Sequence, residues 1–220
     1  MNFLLILCEN ILTDSNSILR NAYYKNLVEV SVSGSTSQYI NGTKQLTKPE
    51  YVFDQVPKNY DWCSNCGKSD KDHPWAVYSV KNQLMNINGY YLKSGCCDTA
   101  DDACCCYDEQ YYCCLCCIYS WSLQISMDNQ TWKTIHKVEK DNEMRRCKEK
   151  TYKFSETHTA KYVRLIQDES CPGDPPCIAI NKIEFIGTTS DGYALDNNVE
   201  FDAEDDDVSI IGHISKQSAH

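Results

Sequence analysis

Cysteine is the residue type on which chemistry in this chain would turn: 15 of the 220 residues. Nine of them crowd into 22 positions, as Cys96-Cys97, Cys104-Cys105-Cys106, Cys113-Cys114 and Cys116-Cys117. Cys63-x-x-Cys66 lies upstream, and Cys171 and Cys177 frame a Pro-Gly-Asp-Pro-Pro turn, close enough to bridge. That usage is far above a reduced cytosolic enzyme's. Three chemistries fit it. Disulfides would staple segments together; adjacent cysteines rarely bridge each other, because a disulfide wants Cα atoms about 4.4–6.8 Å apart with converging Cβ vectors. Each Cys-Cys pair must then reach two different partners, and Cys96-Cys97 and Cys116-Cys117 are placed to face one another. Zinc would take Cys63-x-x-Cys66 as half of a four-thiolate site, with any other pair completing it. Alternatively, some cysteines are small buried apolar residues with no chemistry. The odd count leaves at least one thiol unpaired in a monomer, expected at Cys8.

A catalyst needs more than this. His73, His136, His158, His213 and His220 are scattered, and nothing places a thiol beside an imidazole with a third orienting group. No Gly-rich phosphate loop, Gly-x-Ser-x-Gly elbow or His-Glu-x-x-His occurs. The expectation is a non-enzyme.

The elements that must position these residues are strands. In Tyr119 to Trp132, Tyr119, Trp121, Leu123 and Ile125 alternate with Ser120, Ser122, Gln124 and Ser126, so one face is apolar and the other polar. Asp128-Asn129 supplies turn chemistry and Thr131 to Ile135 returns, a half-buried antiparallel hairpin. Alternation also predicts strands at Val28–Val32 and Trp75–Val80, with a turn at Asn86–Gly89 before Tyr90–Lys93. Further strands are expected at Thr151–Phe154, Lys161–Ile166 and Ile178–Gly187. Loops are expected at 33–37, 41–44, 57–73, 137–150 and 171–177. Residues 1–27 are a lead-in: six apolar residues from Phe3 are short for a secretory signal, and Leu4, Leu7 and Ile11 are at helical spacing. Residues 188–220 are acidic around Glu204-Asp-Asp-Asp207 and are expected to be a disordered tail.

Composition narrows the partners. A net charge of −10 argues against nucleic acid, and there is no basic patch for anionic lipid. No apolar run approaches the ~20 residues that span a bilayer.

Three blocks in register carry a family resemblance: Trp75–Val80 with the Gly-Tyr segment 87–94, the Ser-x-Asp-x-x-x-Trp turn of 126–132, and Lys161–Ile166 with Ala179–Gly187 ending Glu-Phe-Ile-Gly. Together they resemble the discoidin domain, the C-type module of coagulation factors V and VIII. The resemblance covers residues 28–187 and implies an all-β, galactose-binding-like jelly-roll β-sandwich, with the Cys-rich 96–117 as an insertion. It implies an extracellular or cell-surface, non-catalytic module binding a glycan or a protein surface through loops at one end. Mapped here, the first such loop is Asn59-Tyr60-Asp61-Trp62, whose ring would stack on a sugar while the polar groups take its hydroxyls; Trp62 as a core plug is the other reading. Asp168 and Glu169 lie where the closing loops emerge and could accept sugar hydroxyls or coordinate calcium. Trp75, Trp121 and Trp132 read as core. Arg164 reads as paired with a carboxylate such as Glu184. Asn41-Gly-Thr and Asn129-Gln-Thr are glycosylation sequons, meaningful if the chain is secreted. The competing function is structural or metal-binding, with the Cys-rich insertion as the working part.

Overall fold

A computed structural model describes residues 16–53, 58–96, 104–107, 114–144 and 147–191. The lead-in 1–15 with Cys8, the insertion residues Cys97 and Cys113, and the acidic stretch 192–220 lie outside the described residues.

Alternating segments make two antiparallel sheets. The first runs in the order β1 (Val28–Val32), β5 (Trp75–Val80), β12 (Tyr162–Glu169), β9 (Ser120–Ser126), β10 (Lys133–Val138). The second runs β11 (Glu149–Ala160), β6 (Gln83–Ser94), β13 (Ala179–Asp191), β4 (Trp62–Cys63). Their inner faces meet in one core holding Trp121, Leu123, Tyr78, Tyr90, Leu92, Val163, Leu165 and Phe185. Two small hairpins, β2 (Ser37–Ile40) with β3 (Thr43–Leu46) and β7 (Cys104–Cys106) with β8 (Cys114–Cys116), sit outside the sheets. A short helix α1 (Ile18–Tyr23) packs on β13. This is the expected jelly-roll sandwich.

The 119–132 hairpin is the centre of it. Trp121 and Leu123 are fully buried, and the Trp121 indole N–H donates to the Tyr90 hydroxyl at 3.0 Å. That hydroxyl lies 2.9 Å from His136 Nδ1. Burial holds the His136 imidazole's pKa below the usual 6.5. The Ser face does not meet water as alternation alone suggests. β9 is flanked on both sides, by β12 and β10, and Ser120, Ser122 and Ser126 are buried beneath neighbouring side chains.

Several boundaries move. The turn expected at Asn86–Gly89 falls instead at Lys81-Asn82, and 83–94 is one strand. Gly89 sits inside it because a Cβ there would collide with the Tyr152 carbonyl of the paired strand. The segment 155–158 continues β11 through a register shift. Asn41-Gly42 is no open loop but the tip of the β2–β3 hairpin, both residues at positive φ. The stretch 137–150 is not merely solvated: it ends β10, buries Met144 and begins β11. β13 runs on to Asp191, so 188–190 belong to the sheet.

Candidate functional site

Antiparallel pairing gathers one set of loops at one end of the sandwich: where β1 ends, β5 begins, β12 ends and β9 begins. Among the described residues, four disulfides with both partners placed bind this end. Cys63 joins Cys106, Cys96 joins Cys147, Cys116 joins Cys177 and Cys117 joins Cys171, with Cα separations of 6.0, 4.4, 4.9 and 6.2 Å. The adjacent pair Cys116-Cys117 does reach two different partners, as geometry requires, but these are the two cysteines of the 171–177 turn. Cys171 and Cys177 therefore do not bridge each other, and Cys96 does not face Cys116-Cys117. Cys147, absent from the expected set, is missed because it stands alone in a charged stretch with no paired neighbour to mark it. Cys66 is disulfide-bonded too.

This bonding bears on the zinc reading. The sulfurs of Cys66, Cys116 and Cys177 lie within 4.8 Å of one another, as do Cys117 and Cys171 with an Asp174 oxygen. In disulfide form none of these cysteines has a thiolate to give, so Cys63-x-x-Cys66 is a crosslinking element here. The side chains of Cys104, Cys105 and Cys114 lie outside what is described.

The expected sugar loop turns inward. Only Asn59 is exposed; Tyr60 is half-buried edge-on to Tyr51, and Asp61 and Trp62 are both 0% exposed. The Trp62 indole donates to Ser35 Oγ at 2.9 Å. Asp61 is a hub: one carboxylate oxygen accepts from the Cys96 N–H at 2.8 Å and from the Asn181 amide at 3.0 Å, the other from Gln38 at 3.1 Å. Burial raises its pKa above 3.8 against the pull of those donors. A stacking role for Trp62 is excluded by its burial, and the core reading holds.

Asp168 and Glu169 lie at the loop end but on the other sheet, accepting from Ser122 Oγ at 2.6 Å and Ser120 Oγ at 3.2 Å. They are not brought together with Asp61. Arg164 is not paired with Glu184. Its guanidinium donates twice to Gln124 Oε1 and lies 4.2 Å above Trp132, which is half-buried rather than core. Trp75 is likewise half-buried. Glu184 instead accepts from the backbone N–H groups of Leu19 and Arg20 and so ties α1 to β13.

An open feature at the loop end is a cleft of about 320 Å³ between the 33–34 turn and the 65–74 loop, lined by Ser33, Asn65, Gly67, Lys68, Asp72 and His73. Ser33 Oγ donates to Asn65 Oδ1 at 2.7 Å, which turns the Asn65 amide nitrogen outward as a donor. Asp72 accepts from the N–H groups of Lys68 and Ser69, and these bonds hold its carboxyl below 3.8 and therefore ionised. His73 Nδ1 donates to the Gln167 carbonyl at 2.9 Å, leaving Nε2 facing outward. Gln167 in turn donates to the carbonyls of Cys117 and Cys177, so the imidazole is fixed to the disulfide frame. Gly67 is required where it is: a Cβ would press on Asp72 and Pro176 at 2.8 and 3.0 Å. The cleft thus offers amide, ammonium, imidazole and carboxylate groups on loops tied to the disulfide frame. Sequence reading missed it because its residues look like turn polarity until the disulfides define the end they share.

No protein-family profile matches the chain, and no curated protein matches it. Solved structures do. A family 32 carbohydrate-binding module from Clostridium perfringens, in complex with GalNAc-β-1,3-galactose, superposes with a TM-score of 0.52 at 13% identity, covering 78% of this chain and 99% of its own. The family 32 module of C. perfringens NanJ, in complex with galactose, gives 0.51 at 9% identity over 78% and 98%. The chain has the discoidin-like, galactose-binding-like fold of these modules. A family 32 module from a C. perfringens family 31 glycoside hydrolase matches in the same way, at 0.52 and 12% identity over 78% and 95%.

Proposed function

We propose that this discoidin-like chain is a non-catalytic carbohydrate-recognition module whose ligand site is the cleft of Ser33, Asn65, Lys68, Asp72 and His73. The observation that carries the reading is the convergence of outward-facing donors and one ionised carboxylate on disulfide-fixed loops at one end of the sandwich. Neighbouring hydroxyls on a sugar ring present donor–acceptor pairs at the spacing such a wall satisfies, and rigid loops limit the ordering entropy of binding. The solved modules of the same fold that hold galactose and GalNAc-β-1,3-galactose support this class of ligand.

A glycan array followed by calorimetry on the best hit tests it. Lys68→Ala and His73→Ala each remove a hydrogen-bonding group at an exposed position, and a bond to a charged group is worth about 1.5–3 kcal/mol, or roughly ten- to a hundredfold in Kd. Losses of that size from both variants are expected. A blank array sinks the carbohydrate reading, whereas a hit that both variants keep at full affinity sinks the site alone.

A further inference from the structure

The chain contains two Asn-x-Thr sequences, at Asn41 and Asn129. Asn181 is buried and donates to Asp61, while Asn65 and Asn86 accept from Ser33 and Thr159. Asn41 and Asn129 are exposed, and among the described residues neither side-chain amide is hydrogen-bonded. Both occupy hairpin tips at positive φ, 51° and 61°. Asn41 opens the Asn-Gly turn of β2–β3, and the turn between β9 and β10 projects Asn129 from the end opposite the disulfide-bound loops. Thr43 and Thr131, two residues on, are exposed as well. Four disulfides add an independent constraint, since crosslinks of this density form in an oxidising, secretory compartment.

We infer that Asn41 and Asn129 are both sites of N-linked glycosylation on the mature chain. The donor class is a lipid-linked oligosaccharyl diphosphate. The side-chain amide nitrogen attacks the anomeric carbon, a C–N bond forms as the C–O bond to the diphosphate breaks, and the amide proton leaves to a base of the transferring enzyme. No redox change occurs. A bulky polar glycan at either tip meets solvent and displaces no packed side chain. The Asn129 glycan leaves the Asn65–His73 cleft clear, because the two lie at opposite ends of the sandwich.

The full chain, secreted from eukaryotic cells with its disulfides intact, is digested with peptide N-glycosidase and mapped by mass spectrometry. Conversion of Asn to Asp at both 41 and 129 is expected. Asn41→Gln and Asn129→Gln should each remove one glycan-sized step on a gel, and the double variant should become insensitive to the enzyme. A secreted, disulfide-bonded chain that carries no glycan at a position overturns the assignment there. A chain secreted without disulfides overturns the premise for both.

Discussion

Glu184 shows how little a residue's type says about its task. It is 3% exposed, and burial pushes its carboxyl up to about 7 although the N–H groups of Leu19, Arg20 and Phe185 pull the other way. The unfolded value is the usual 4.5. The folded state therefore holds the proton more tightly. The stability this group contributes is full below about pH 4.5 and is lost as pH rises through 7. Glu184→Gln should flatten that slope, read as urea midpoints at about pH 5 and about pH 8; an unchanged slope would assign it to another group. Asp61 makes the complementary case. Its neighbours Tyr60 and Trp62 and its charge read as a surface loop, yet its partners Gln38, Cys96 and Asn181 come from remote segments, and no local pattern announces such a hub. Asp61→Ala leaves the Gln38 amide and the Cys96 N–H without this acceptor, while the Asn181 amide keeps the Lys58 and Tyr60 carbonyls; each lost partner costs about 1–3 kcal/mol. Chemical denaturation should show a loss of about 2 kcal/mol or more, and an unchanged midpoint would contradict the hub.

Whole strands were more legible than single residues, because period-two alternation is a local signal. β1, β5, β9 and the cores of β12 and β13 could be read from it. The β2–β3 hairpin could have been, since Asn-Gly between extended residues is the strongest short-range hairpin cue. β11 could be read only in part, at Thr151–Phe154: its register shift between Lys153 and His158 breaks the alternation, and its partner β6 lies far away in sequence. Glycine substitutions separate two physical costs at this scale. Gly42 lies at φ 76° with nothing near a built Cβ, so Gly42→Ala meets only torsional strain, about 1 kcal/mol. Gly89→Ala drives a Cβ into the Tyr152 carbonyl and should detach β11 along that stretch. Hydrogen exchange should show lost protection at 149–154 in the second variant only. Similar protection in both would mean the sheet edge yields more easily than its backbone contact suggests.

At the scale of the molecule the crosslinks are lopsided. All four described disulfides tie the loop end, while the opposite end, with Lys81-Asn82 and the 127–131 turn, is held among the described residues by sheet pairing and by turn hydrogen bonds such as those of Ser126 and Asp128. Sequence could count the cysteines but not assign them, since the pairing of Cys116 and Cys117 with Cys177 and Cys171 depends on β8, β9 and β13 being placed first. A hydrophobic sandwich of this size does not need covalent help to fold. The crosslinks act where the core does not reach, on the loops framing the Asn65–His73 cleft. Cys117→Ser with Cys171→Ser removes one bridge without leaving a reactive thiol at either position. It should cost about 2–4 kcal/mol by releasing a closed loop in the unfolded chain. Because Gln167 hangs on the Cys117 carbonyl and positions His73, exchange protection should fall at 64–74 and 170–178 and persist in β5, β12 and β9. Glycan affinity should drop with the loop order although no cleft residue has changed. A uniform loss of protection across both sheets would mean instead that the bridges hold up the sandwich itself.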